Sequence, residues 1–239
     1  MIAGHERNRV KPEPQQFALD LLPAAAAPSL ANFVPGSNGA LLAALHEAVA
    51  GQGSQFIHLW GAPGSGRTHL LEAVHRAGAA DEPPASFAAT PLVPVPAFAP
   101  PRRLYTADDV HRLDTQQQAA LFALQNQVRE HPGTVLVTSA DRPPAQLALR
   151  EDVRTRLTWG LVFALQPITE DQRAGALEAY ARARGARVDE DLVPYMLERL
   201  PRDMRTLVTV LDALDAFALE KQSALTVRLL RQWLRRERS

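Results

Sequence analysis

The chain has 239 residues, 46% apolar and 22% charged, with 26 Lys and Arg against 26 Asp and Glu. This length holds one full α/β domain, or a nucleotide-binding domain with a small appendage, and the composition excludes wholesale disorder. Zero net charge argues against unaided gripping of duplex DNA, and the absence of cysteine excludes disulfides, thiolate catalysis and thiolate metal sites. No run approaches the roughly 18 apolar residues of a membrane span, and Met1 to Pro14 lacks the apolar core of a signal peptide, so a cytoplasmic protein without a membrane partner is expected.

In chain order, residues 1–30 read as a flexible tail. "GALLAALHEAVA" after Asn38 has helical spacing and stops at Gly51, and "QFIHLW" at 55–60 is a short strand leading into "GAPGSGRTHLL". A helix is predicted from Arg67 to about Ala79. Between Asp81 and Pro101 proline and alanine dominate, with one possible strand near "ASFAA". "RRLYTADDV" reads as a strand closing on two aspartates, followed by a helix capped at Thr115 and stopped at His131-Pro132-Gly133. "TVLVTSADRPP" and "LVFALQP" at 161–167 are further strands.

Strands alternating with helices imply a largely parallel sheet covered on both faces. Beyond Pro167 only helices follow, the first opened by a Thr169/Gln172 capping box and ended at Gly185. The expected organisation is therefore a tail at 1–30, a nucleotide-binding α/β domain at 31–167 and a helical domain at 168–239.

Gly61 to Thr68 fits G-x-x-x-x-G-[K/R]-[S/T]. Such a loop needs glycines so that backbone N–H groups can approach phosphate, a cation at the outer phosphates and a hydroxyl for Mg²⁺. Gly61, Gly64, Ser65 and Gly66 shape the loop, Arg67 supplies the cation, Thr68 the hydroxyl, and His69 follows. Arginine is a planar fork where such loops usually carry lysine, so phosphate geometry can differ. Asp108 stands where a P-loop enzyme places its Mg²⁺-organising carboxylate, and Asp109 where an acid orients the attacking water. The competing reading is a solvated acidic pair. Ser139 or Asp141, after the next strand, could reach the γ-phosphate, and spacing does not choose between them.

Arg156 in "RTRLTWG" and Arg205 in "RDMRTL" occupy distinct contexts, each with a surface ion pair as its plain alternative. His46 lacks the second histidine of H-E-x-x-H, His69 and His75 are six apart, and no serine has nucleophile-elbow surroundings, so metallohydrolase and esterase readings drop out. Arginines 228, 231, 235, 236 and 238 form a basic end, most simply a solvated helix terminus.

The ordered set "NFVPGSN", "GAPGSGRTHLL", "ADDV", "TSADRPP", "RTRLTWG", "RDMRTL" resembles the AAA+ ATPases of the bacterial replication-initiator family, in particular Hda-like proteins, which look like the initiator DnaA without its DNA-binding domain. The resemblance spans about residues 16–235. It implies an AAA+ fold with a five-stranded parallel sheet and a small all-α lid. It also implies ADP or ATP with Mg²⁺ as cofactors, Phe33 and Val34 at the adenine, Arg156 as an arginine finger presented to a partner, and Arg205 as the lid sensor. Arginine is usual in Hda-like loops.

The same family carries an N-terminal sliding-clamp motif resembling Q-L-S-L-P-L. Here Gln16 to Leu21 reads "QFALDL", with Gln16, Leu19 and Leu21 as anchors, while Phe17 and Asp20 depart from the pattern. The short proline-rich segment 81–101 stands where the family has a strand and a substantial helix, which puts that sheet edge in doubt. With no helix-turn-helix after the lid, operator binding is not expected. The resemblance thus implies DnaA and the DNA polymerase III sliding clamp as partners, DNA contacted only through the clamp, and room for a homodimer. Two rivals are a non-hydrolytic adaptor and a helicase-loader-type ATPase.

Overall fold

A computed structural model describes residues 27–78, 85–88, 95–201 and 203–236. The clamp-motif residues Gln16, Phe17, Leu19 and Leu21 lie outside them. The chain forms two compact units, dividing between Gln172 and Arg173.

The first unit is an α/β base. Its elements are α1 (Gly39–Val49), β1 (Phe56–Trp60), α2 (Arg67–Ala77), β2 (Ala85–Ala88), β3 (Leu104–Asp108), α3 (Thr115–Glu130), β4 (Val135–Ala140), α4 (Glu151–Arg156) and β5 (Leu161–Ala164). All five strands are parallel, in the order β2-β3-β4-β1-β5. The doubtful segment therefore still delivers an edge strand, although no helix occurs among the described residues between Gly78 and Leu104. Strand β1 lies between β4 and β5, which both follow it in the chain and flank it on opposite sides. The loop after β1 therefore opens at the carboxyl ends of the strands, where such sheets bind ligands.

Period-two alternation sorts the strands' side chains onto two cores. Ile57, Leu59, Val135 and Val137 pack with Leu41, Leu45, Leu70, Leu71 and Val74 of α1 and α2. Tyr105, Ala107, Leu136 and Ala140 pack with Leu121, Leu124 and Val128 of α3 and Val153 of α4. Strand β5 departs from the expected coverage: Leu161 and Val162 are 41% and 40% exposed, because β5 is the sheet's outer strand on that side.

Helix α3 begins at Thr115, yet its cap is Asp114, which corrects the sequence reading. The Asp114 side chain accepts from the Gln117 backbone N–H at 2.8 Å, and the Gln117 side chain accepts from the Asp114 N–H at 3.1 Å. The aspartate closes this box one residue earlier than the threonine would.

The second unit is all helical: α5 (Glu170–Ala183, whose first turn spans the division), α6 (Leu192–Arg199), α7 (Met204–Lys221) and α8 (Val227–Arg236). The Thr169/Gln172 box is present in both directions, at 3.0 and 3.2 Å, and Gly185 takes φ +74° as the expected stop. Leu177, Leu192, Met196, Leu207, Leu211, Leu214, Leu230 and Trp233 form one core. Tyr180 donates to Asp212, which also pairs with Arg184. Burial first and the carboxylate second push the Tyr180 hydroxyl up to about 12, so it stays a donor. Among the described residues no helix is long and apolar enough to cross a membrane.

Candidate nucleotide site and arginine stack

The loop between β1 and α2 turns on two glycines in the left-handed region, Gly64 at φ +79° and Gly66 at φ +99°. At Gly66 a Cβ would also lie 2.8 Å from the Phe33 ring. Phe33 thus sits directly on the loop, and its ring meets His69 at 5.6 Å between centroids. The His69 ring lies 3.2 Å from Ser29 O, tying the segment before α1 to the helix after the loop. Val34 is half-buried beside Phe33. The Ser65 hydroxyl is buried against Gly61 and has no hydrogen-bond partner among the described residues.

Thr68 Oγ1 donates to Asp108 Oδ2 at 2.6 Å. The buried Ser139 hydroxyl donates to Asp108 Oδ1. The Asp109 N–H donates to Asp108 Oδ1 at 3.0 Å and lies 3.1 Å from Ser139 Oγ. Ser139 is therefore built into the carboxylate cluster. Asp141 instead forms a two-bond pair with Arg142, which holds its carboxyl below the usual range. Hydroxyl and carboxylate oxygens side by side fit a hard cation. Among the described residues no cluster of three His, Cys, Asp or Glu holds a metal alone. Thr68 and Asp108 would therefore hold Mg²⁺ jointly with a nucleotide's phosphates, where the ion supplies charge neutralisation.

Asp108 closes β3, whereas Asp109 lies beyond it in the left-handed region at φ +49°. Its carboxylate pairs with Arg67 at 3.2 Å, and Arg67 is only 8% exposed. Below the loop, His58 on β1 is buried, its Nδ1 2.8 Å from Thr138 Oγ1 and its Nε2 without a hydrogen-bond partner among the described residues. Burial first, then the Arg67 charge, lower its pKa to about 4.

Between about pH 6.5 and 4 the unfolded chain then binds a proton at His58 that the folded chain refuses. Stability attributable to this group is complete above pH 6.5 and falls as pH drops through that window, by about 3 kcal/mol in total. Denaturant titrations at pH 7 and pH 4 should show this loss, reduced in His58→Gln; equal pH dependence of the two proteins would refute the assignment.

Arg156, the last residue of α4, has a different setting. Its guanidinium lies 3.6 Å from the centre of the Phe122 ring and 4.8 Å from that of Trp159. Arg129 stands over Trp159 at 4.8 Å, Arg150 over Phe122 at 6.0 Å, and Phe56 meets Trp159 edge-on at 5.6 Å. Three guanidinium groups thus alternate with two rings. Arg156 Nη1 donates weakly to Asp152 O at 3.4 Å, and Nε is buried without a hydrogen-bond partner among the described residues. Desolvation lowers the pKa of Arg156, with Arg129 adding to the effect. This stack was missed by sequence reasoning; the one available signal was the aromatic pair Phe122 and Trp159 near arginine-rich stretches. Arg205 stands exposed in the first turn of α7, capped by Asp203.

Comparison with known proteins fits this geometry. Domain III of the Thermotoga maritima replication initiation protein DnaA superposes with a TM-score of 0.62 at 20% identity, covering 87% of this chain and 95% of that one. AMPPCP-bound DnaA from Aquifex aeolicus gives 0.62 at 19% identity over 88% and 69% of the two chains. A Thermotoga maritima RuvB mutant gives 0.59 at 17% identity over 89% and 72%. The fold is that of an AAA+ protein, a parallel sheet with a C-terminal helical lid. Residues 170–234 match the family described as Hda, lid domain. Over residues 170–234 the chain is thus similar to the Hda lid domain, and its fold is similar to that of DnaA domain III.

Proposed function

We propose that this protein is a regulatory inactivator of the replication initiator DnaA. In this reading it binds ADP or ATP at Gly61 to Thr68, with Phe33 and Val34 against the adenine and Arg205 as lid sensor. Held on the sliding clamp through Gln16, Phe17, Leu19 and Leu21, it docks on ATP-loaded DnaA and stimulates hydrolysis there. DNA is met only through the clamp, and the setting is the cytoplasm. The observation that carries the reading is the Arg156 stack on a chain with an Hda lid: a guanidinium held by ring faces, with no described carboxylate pairing with it. An arginine so placed retains its charge for phosphate oxygens whose charge grows in the transition state.

The direct test combines the purified chain, clamp, primed DNA and ATP-loaded initiator, and follows initiator-bound nucleotide. Conversion to ADP only when all four are present is the expected result. An initiator that co-purifies with the chain and keeps its ATP would instead establish a non-hydrolytic adaptor. Clamp-independent turnover by the chain itself, lost in Asp108→Ala, would establish an ordinary ATPase of the loader type.

The stack makes its own prediction. A cation–π contact at a desolvated site contributes up to about 2 kcal/mol. Phe122→Leu should therefore lower the stimulated rate about tenfold, while Phe122→Tyr, which keeps the ring, should retain most of it. Equal rates for both variants would show that the ring does not position Arg156.

A further inference from the structure

We infer that Asp109 competes with bound phosphate for Arg67, and so sets the nucleotide affinity of the loop; this rests on the nucleotide reading above. Arg67 is the cation that the loop offers to an outer phosphate, and its Nη2 is 3.2 Å from Asp109 Oδ1. The pair is sheltered, with side chains 9% and 26% exposed, so solvent screens it far less than a surface pair. The second terminal nitrogen, Nη1, is buried and has no hydrogen-bond partner among the described residues. A planar guanidinium presents its donors in one fork. A phosphate that takes up the fork must displace the carboxylate or endure it as a neighbouring like charge.

The turn carrying Asp109 is built to let the carboxylate move while the backbone stays. The backbone is held in the left-handed region at φ +49°, with its N–H donating to Asp108 Oδ1 and lying against Ser139 Oγ. That conformation is costly for a residue other than glycine, so the surrounding contacts hold it in place. Two further nitrogen groups stand nearby: the Arg112 guanidinium, with Nη1 3.8 Å from Asp109 Oδ2, and the His111 ring, with Nδ1 3.9 Å from Oδ1. His111 also lies 3.8 Å from Asp141. Asp109 therefore has an alternative place to rest when Arg67 turns to phosphate.

ADP is the probe, because it separates binding from hydrolysis. The full-length chain, its Asp109→Asn and Arg67→Gln variants and the double variant are titrated with fluorescent ADP. Removing the competitor should tighten binding about tenfold in Asp109→Asn. Arg67→Gln should weaken it, and the double variant should bind like Arg67→Gln alone. Unchanged or weaker binding by Asp109→Asn would overturn the inference, as would an equal gain in the Arg67→Gln background, since that gain would reflect charge removal alone.

If Arg67→Gln binds too weakly to titrate, arginine-labelled NMR decides. The Arg67 guanidinium signals of ADP-free Asp109→Asn should shift from the wild-type position toward that of the ADP-bound wild type, and identical signals in the two ADP-free proteins would refute the pairing. Absence of ADP binding by every form would instead remove the nucleotide reading itself, and the inference with it.

Discussion

Arg156→Ala is expected to remove the stimulation of initiator-bound ATP hydrolysis, a loss of about 10³-fold or more, while leaving clamp binding intact and lowering stability by no more than about 2 kcal/mol. The size follows from what an arginine finger does: it meets charge that develops on the transferring phosphoryl group, and such fingers contribute about 10³ to 10⁵ in rate. Its ground-state environment supports a small structural cost. The guanidinium rests on Phe122 and Trp159 and makes one long hydrogen bond, to Asp152 O. Truncation leaves no carboxylate stranded without its partner, the usual source of large losses on removing an arginine. Arg156→Lys should fare nearly as badly, because an ammonium cannot form the flat stack. The measurement is the single-turnover rate of ATP loss from the initiator with each variant. Stimulation by Arg156→Ala at the wild-type rate would eliminate the finger role.

Gly160→Ala should be the most damaging small substitution in the base unit, lowering unfolding free energy by about 3 kcal/mol or more. A Cβ built at this position would lie 2.0 Å from the Phe56 carbonyl oxygen and 2.6 Å from Ser54 Oγ. Main chain cannot step aside as a flexible side chain can, so either β1 and β5 separate or the turn between α4 and β5 shifts. That turn follows Arg156 directly and contains Trp159. Loss of stability should therefore come with loss of stimulation, even at temperatures where the variant is folded. Urea unfolding compared with wild type checks the first effect. A difference below about 0.5 kcal/mol, the range of an ordinary surface change, would show that the close approach does not constrain the turn.

The phosphate loop, the strand before it and the helix after it were legible because their demands are local: glycine at left-handed positions, a hydroxyl and a cation at fixed spacing. The Thr169/Gln172 box and the Gly185 stop were legible for the same reason. Asp109 was legible as an acid at the end of β3 but not as a partner of Arg67, 42 residues away in the sequence. Its left-handed backbone has no mark in the residue type, since aspartate enters that region only when the surroundings require it.

The arginine stack was illegible for a related reason. Phe122 and Arg129 lie on α3, Arg156 on α4 and Trp159 in the following turn, and only the packing of α3 and α4 over one sheet face brings them together. His58 likewise looked like one residue of an apolar strand. Its chemistry depends on Thr138, eighty positions further on.

The two borders of the sheet differ in a way that bears on how the protein behaves in solution. At one border the strand is four residues long and reads Ala-Ser-Phe-Ala. At the other, β5 presents Leu161 and Val162 to solvent beside Trp159, itself 38% exposed. An apolar outer strand is a template for pairing with another chain, and proteins ordinarily blunt such a margin with lysine, proline or a bulge. None of these interrupts Leu161–Ala164. If the chain pairs with a second copy, β5 is the described strand on which that pairing is expected to start.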